Sequence, residues 1–362
     1  MSKHVLILAG GTGGHVFPAL AVAEQLREQG YQVSWAGTEE RLEARVVPAA
    51  GFAFYSMPQQ GLRGRGIAGW LAAPWRISGS VAQARQLMKK LQPDLVVGFG
   101  GYTAGPGGIA AWLSKVPLLI HEQNAAPGMT NKLLSRFAQR TLLGFKAAAD
   151  KLKQGIWVGN PVRQDICDLI EAPQKPVNDT LQLLIIGGSL GAEVLNQNVP
   201  VALQKWTDPE LRITHQVGKG REQETVQRYQ QAGPGVKVEV VEFIEDMAAA
   251  YQQADLVLCR AGALTVAELA CAGVASILVP YPYAVDDHQT RNAEVLVSAQ
   301  AAILLPQSQL NASSLFSVLQ ELAIDPERLQ HMGEQAKTVA SSESTQKIVQ
   351  HCQELMKERA VS

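Results

Sequence analysis

Several short segments of this 362-residue chain carry residue types suited to chemistry on a sugar or a phosphate. Gly10-Gly-Thr12-Gly13-Gly14-His15 is rich in glycine and closed by an imidazole. Its glycines let a pyrophosphate or a sugar approach the backbone closely. A histidine in the first turn of the following helix is held neutral by the helix dipole and can serve as a general base. Gly187-Gly-Ser189-Leu-Gly191 reads as an anion nest of N–H groups with one hydroxyl, or as a tight strand-to-helix turn. Arg260-Ala-Gly262 separates an apolar run, Leu256 to Cys259, from a helical pattern that Gly273 closes. A guanidinium at that dipole-positive turn suits a planar polar ligand. Thr265-Val-Ala-Glu268, just beyond, is either a capping box or a hydroxyl and carboxylate facing that ligand, and Arg260 tips the balance to the second. Arg163, in Gly159-Asn-Pro-Val-Arg163, supplies positive charge of the kind a departing pyrophosphate needs.

Other chemistries fail on spacing. Gly11-Thr-Gly13 has valine at position 16 where a dinucleotide fingerprint needs its third glycine, and no Lys-Ser/Thr follows to make a P-loop. His121-Glu122-Gln-Asn124 lacks the second histidine of a zinc motif and reads as a polar cluster at a strand end. Asp286-Asp-His288 reads as a solvated loop, so no metal site and no cofactor are expected. The four cysteines show no Cys-x-x-Cys spacing, which suggests neither a disulfide framework nor a zinc site and points to a reducing compartment. The first apolar run is too short for a signal peptide, and no run approaches the ~20 residues of a membrane span, so a cytoplasmic protein is expected.

The elements that must position these segments alternate between apolar runs and helical periods. Val5–Ala9 predicts a buried strand, Pro18 the start of a helix stopped by Gly30, Gln32–Ala36 a strand, Glu39–Val47 a helix and Phe52–Tyr55 a strand. Asp94–Val97 and Pro117–Ile120 follow as strands. The second half repeats this grammar: Leu183–Ile186 ends in glycines, Asp255-Leu-Val-Leu258 ends in Arg260-Ala-Gly262, and Ser276–Val279 is another buried strand. The fold class is therefore α/β, with two Rossmann-like domains whose parallel sheets face a central cleft between their carboxyl edges. The domains are expected at 1–162 and 163–343. Polar, proline-broken Glu171–Thr180 reads as the linker, and residues 344–362 read as a helix, spaced by Ile348, Cys352, Leu355 and Met356, returning to the first domain.

Net charge is −1, yet residues 1–160 hold 17 Lys+Arg against 8 Asp+Glu while residues 161–362 hold 15 against 25. The two halves are expected to face different partners. Between Glu43 and Asp94 there is no acidic residue, while Arg63, Arg65 and Arg76 interleave with Trp70 and Trp75. That mixture suits an anionic membrane surface, where each basic side chain contributes roughly 1 kcal/mol; the alternative is that both tryptophans are core. Nucleic acid is disfavoured because no recognition motif accompanies the patch.

Taken in order, Gly10–His15, Gly100-Gly101-Tyr102, His121–Asn124, Gly159–Arg163, Gly187–Ser189, Glu242-Phe-Ile244, Arg260–Glu268 and Asp287-His-Gln289 resemble the MurG family of peptidoglycan N-acetylglucosaminyltransferases, up to about Asn292. The resemblance implies a two-domain inverting GT-B enzyme. Its reaction moves N-acetylglucosamine from UDP-N-acetylglucosamine to the C4 hydroxyl of the muramoyl sugar of undecaprenyl-linked lipid I, without metal, at the cytoplasmic face of the inner membrane and beside other cell-wall synthesis proteins. It also implies that the second domain holds the donor: Ile244 beside uracil with Arg260 nearby; Ala263, Leu264, Thr265, Val266 and Ala267 along the nucleotide; Glu268 on the ribose hydroxyls; Ser189 and Arg163 on the phosphates; Gln289 on the sugar. Thr12, Gly13, Gly14 and Asn124 complete the cleft. His15 is the expected base, with His121 or Glu122 as alternatives; Gly101 and Tyr102 join these two on the acceptor side. A UDP-N-acetylglucosamine 2-epimerase and a GT-B transferase with another acceptor are the rival readings, and the basic tryptophan patch argues against the first.

Overall fold

A computed structural model describes residues 2–57, 73–152, 154–173, 180–188 and 191–361, with the backbone alone at 73–77, 285, 360 and 361. The chain forms two compact units, Met1–Val162 with Glu343–Ser362, and Arg163–Ser342. Glu171–Thr180, expected as the linker, therefore falls inside the second unit. The helix Gln164–Cys167 ahead of it already packs on the helix Ala263–Ala272 of that unit.

The first unit has a seven-stranded, all-parallel sheet in the order β3-β2-β1-β4-β5-β6-β7. Its strands are β1 (His4–Leu8), β2 (Gln32–Gly37), β3 (Ala53–Ser56), β4 (Leu95–Gly98), β5 (Leu118–Glu122), β6 (Arg140–Leu143) and β7 (Ile156–Trp157). β1 is apolar from Val5 to Leu8 because both of its faces are covered. Val5 and Ile7 pack with Val22, Leu26 and Trp35, whereas Leu6 and Leu8 pack on the opposite side with Ala104, Leu118 and Leu134. Ile348, Val349, Cys352, Leu355 and Met356 of the helix Ser344–Val361 complete the first of these cores.

The second unit has a six-stranded parallel sheet in the order β10-β9-β8-β11-β12-β13. Its strands are β8 (Thr180–Ile186), β9 (Glu210–Gln216), β10 (Val236–Val241), β11 (Leu256–Cys259), β12 (Ala275–Leu278) and β13 (Ala302–Leu304). The internal repeat is visible at single bonds. Asp94 opens β4 by accepting the His4 N–H at 2.8 Å, and Asp255 opens β11 by accepting the Gln182 N–H at 2.7 Å.

Three expected boundaries move. The first helix runs Gly13–Glu28, so Pro18 lies inside it and forfeits one bond to the Gly14 carbonyl instead of starting it. The second helix begins at Leu42 rather than Glu39. β5 continues two residues past Ile120 and takes His121 and Glu122 into the sheet, because β6 pairs beside both. Among the described residues no helix is long and apolar enough to cross a membrane.

Candidate active site

In a doubly wound sheet, ligands bind beyond the carboxyl ends where the strand order reverses. In the first unit that point lies between β1 and β4. β1 runs into Gly10–Thr12, and the Thr12 carbonyl accepts the N–H groups of His15 and Val16 at 3.0 and 3.2 Å as the helix Gly13–Glu28 begins. β4 runs through Phe99 and Gly100 into the helix Gly101–Leu113. These two exits touch. Gly101 has φ of +81°, and a Cβ there would fall 2.2 Å from the Gly10 carbonyl oxygen. The His15 ring lies against Gly100, where a Cβ would come 3.1 Å from Cδ2 and 3.2 Å from Nε2. A helix start thus carries His15 over a second helix start, with Thr12, Gly14 and Tyr102 exposed beside it.

Two buried carboxylates brace this region. Glu43 is fully buried and accepts the backbone N–H groups of Gly11 and Thr38, each at 3.0 Å. Sequence reasoning missed it as a support, since its partners lie 32 and 5 residues away and no local pattern marks it. Glu122, expected on the acceptor side, is instead internal. Its Oε1 accepts from Asn124 N–H and Nδ2 at 3.0 and 3.2 Å, and its Oε2 from Gly128 N–H and Asn131 Nδ2 at 3.0 and 2.9 Å. His121 is corrected in the same way: it has no exposed surface, its Nε2 donates to the Gly159 carbonyl at 3.0 Å, and burial lowers its pKa to about 4. Glu122 holds the loop bearing Asn124, and His121 ties β5 to the chain at Gly159.

In the second unit the switch point lies between β8 and β11, whose ends pair at Ile186 and Cys259. β8 exits into Gly187-Gly188; Ser189 lies outside the described residues. Gly262 opens the helix Ala263–Ala272, and Gly273 closes it in the left-handed conformation at φ of +64°. Thr265 and Glu268 therefore sit within the helix, and no capping box forms there. Leu264, Thr265 and Ala267 are partly exposed, whereas Ala263 and Val266 turn into the core and can offer a ligand only backbone.

Glu268 accepts a hydrogen bond from the Tyr251 hydroxyl at 3.0 Å. Burial raises its pKa above the usual carboxylate value, against the opposing pull of Tyr251 and of the Arg163 charge. Arg163 lies close enough to act on both, and half of its side chain is exposed. Tyr251 was not legible in advance, because in Met247-Ala-Ala-Ala-Tyr251 it looks like ordinary helix core. Arg260 differs from expectation: its guanidinium donates to the carbonyls of Val279 and Pro280 at 3.1 and 3.2 Å and to Gln307 Oε1 at 2.7 Å. The protein thus supplies much of the planar polar environment assigned to a ligand, and the same guanidinium lies 5.5 Å from the Tyr281 ring centroid. Gln289 accepts the Tyr281 N–H at 2.9 Å at the start of the helix His288–Ser298, and Ile244 is half-buried beside Phe243, which is 71% exposed. Among the described residues no group of three or more His, Cys, Asp or Glu side chains could hold a metal ion. Arg63, Arg65 and Trp70, and the side chains of Trp75 and Arg76, lie outside the described residues.

Comparison with known proteins finds two family domains in succession. Residues 5–143 match the glycosyltransferase family 28 N-terminal domain and residues 182–351 its C-terminal domain. The chain is 51% identical over 353 residues, 97% of each chain, to the UDP-N-acetylglucosamine–N-acetylmuramyl-(pentapeptide) pyrophosphoryl-undecaprenol N-acetylglucosamine transferase of Shewanella sp. (strain MR-4). The crystal structure of Acinetobacter baumannii MurG superposes with a TM-score of 0.82 at 42% identity, covering 97% of this chain and 99% of that one. A UDP-GlcNAc 2-epimerase from Neisseria meningitidis reaches a TM-score of 0.67 at 14% identity over 97% of this chain and 100% of that one, a likeness of fold alone. With both family 28 domains matched in order and half of all residues shared along nearly its whole length, the chain belongs to the MurG family of glycosyltransferases.

Proposed function

We propose that this chain transfers N-acetylglucosamine from UDP-N-acetylglucosamine to the C4 hydroxyl of the muramoyl sugar of lipid I, yielding lipid II and UDP with inversion at the anomeric carbon. The observation that carries this reading is the near full-length identity to a transferase named for that reaction, which extends through the acceptor half as well as the donor half. His15 takes the proton of the acceptor hydroxyl, the oxygen attacks the anomeric carbon, and the bond from that carbon to the β-phosphate oxygen breaks. The departing charge meets Arg163 and the N–H groups at the helix starts after Gly188 and Gly262. Ionised Glu268 accepts from the ribose hydroxyls, Ile244 flanks uracil and Gln289 meets the sugar. One displacement inverts the centre, so no covalent nucleophile is required.

Membrane association belongs to the same proposal. Besides the basic stretch with Trp70 and Trp75, the helix Gly101–Leu113 ends in exposed Trp112 and Leu113, and Met129 and Leu133 of the helix Met129–Leu134 are exposed. Lys115, Lys132 and Arg136 are close to them in sequence. An amphipathic face of this kind fits peripheral attachment to the anionic cytoplasmic leaflet.

The deciding experiment incubates the protein with UDP-N-acetylglucosamine in EDTA, with and without a lipid I analogue. UDP release that requires the analogue and survives EDTA is expected. Conversion of the sugar nucleotide without acceptor would replace the proposal by an epimerase.

A further inference from the structure

The last residue of β9, Gln216, is 5% exposed and lies between the two loops that the donor reading uses most. Its Oε1 accepts the Gly188 N–H at 3.0 Å, and its Nε2 donates to the Gly188 carbonyl at 3.1 Å. The side-chain amide thus pairs with both polar groups of one residue, fixing a backbone that has no side chain of its own and stands at φ of +81°. The same Nε2 donates to the Glu242 carbonyl at 2.8 Å, two residues before Ile244. Backbone contacts run the same way. The Gln216 carbonyl accepts the Gly187 N–H at 3.1 Å, and the Val217 N–H donates to the Val241 carbonyl at 2.9 Å. A strand exit needs only those backbone bonds, and an apolar side chain would fill the volume. A buried amide engaged at three points is retained where geometry must be fixed.

We propose that Gln216 is a positioning residue for the sugar-nucleotide donor, holding the pyrophosphate turn at Gly188 and the uracil loop at Glu242–Ile244 in one fixed relation. The inference rests on the donor-site reading above. Because one side chain ties the two loops, the uridine and diphosphate parts of the donor are recognised together.

Two variants test this. Gln216→Leu removes all three bonds. Gln216→Glu keeps the size and one acceptor but turns an oxygen towards two carbonyls, and it carries the test if the leucine variant does not fold. Calorimetry with UDP and with uridine, thermal unfolding, and KM for each substrate are measured on the full chain. UDP affinity is expected to fall roughly 10-fold or more, with uridine weakened as well. Uridine is uncharged, so its loss does not come from repulsion by the new carboxylate. KM for the donor should rise while KM for the lipid acceptor stays at the wild-type value. A folded Gln216→Glu protein with unchanged UDP and uridine affinity overturns the proposal, as does lowered thermal stability alone. Weakened UDP with unchanged uridine confines Gln216 to the phosphate turn and overturns the coupling. Glu268→Ala is run in parallel. If it also leaves UDP binding unchanged, the donor-site reading itself fails; if it weakens UDP while Gln216→Glu does not, only the inference about Gln216 falls.

Discussion

At Glu268, burial opposes ionisation while the Tyr251 hydroxyl, 3.0 Å from Oε2, and the Arg163 charge favour it; burial is the larger influence. The folded carboxyl therefore holds its proton above the ordinary value of 4.5, and the fold becomes less stable as pH rises from that value through the raised one. Glu268→Gln removes this liability. Its unfolding temperature should exceed that of wild type at neutral pH and match it below about 4.5, where both forms are neutral. UDP affinity should move the other way, falling by ~1.5–3 kcal/mol, the worth of a charged hydrogen bond. Wild-type affinity for UDP should likewise decline as acidification protonates Glu268. Calorimetric titrations and melts across a pH series check all three; a neutral-pH unfolding temperature below wild type would mean that the ionised carboxylate is held favourably.

The elements that matter are the strand exits, which work by close approach. Gly100 carries the His15 ring, and Gly101 touches the Gly10 carbonyl, so the two helix starts of the first unit share one backbone contact. In Gly101→Ala, the new Cβ meets that oxygen at 2.2 Å in a conformation with φ of +81°. A backbone shift must follow, with strain on the order of 1–3 kcal/mol. The variant should lose most of its turnover while UDP binding changes far less, because most of the residues proposed to hold the donor lie in the other unit. Turnover at the wild-type rate would mean that the placement of His15 does not depend on this contact. Glu43 and Glu122 serve neighbouring loops by accepting N–H groups that the turns leave over.

For the whole molecule, the first unit is built from both ends of the chain. Five side chains of the helix Ser344–Val361 are buried in it, and Arg140 pairs with Glu354 and Glu358 at 2.6 and 2.9 Å. Each buried side chain contributes about 1.5–3 kcal/mol, so together they rival the ~5–15 kcal/mol that stabilises a domain. A chain ending at Ser342 should lose the cooperative melting of the first unit and keep that of the second, which UDP should still protect in scanning calorimetry. Replacing Trp70 and Trp75 with serine should weaken sedimentation with anionic vesicles and leave UDP binding intact; unchanged sedimentation would remove the proposed membrane role of these residues. The sequence by itself determined the parallel alternation, the glycine exits, the repeat marked by Asp94 and Asp255, and the family, because strands covered on both faces and helix stops leave local patterns. Only the tertiary structure decided which polar residues face inward. Glu122 and His121 resemble catalytic groups until Asn131 and Gly159 are seen to occupy them, and Arg260 seems to await a ligand until Gln307 meets it. The partners of Glu43, Tyr251 and Gln216 come from segments up to 32 residues away, and strand register, which no neighbouring residue encodes, brings them together.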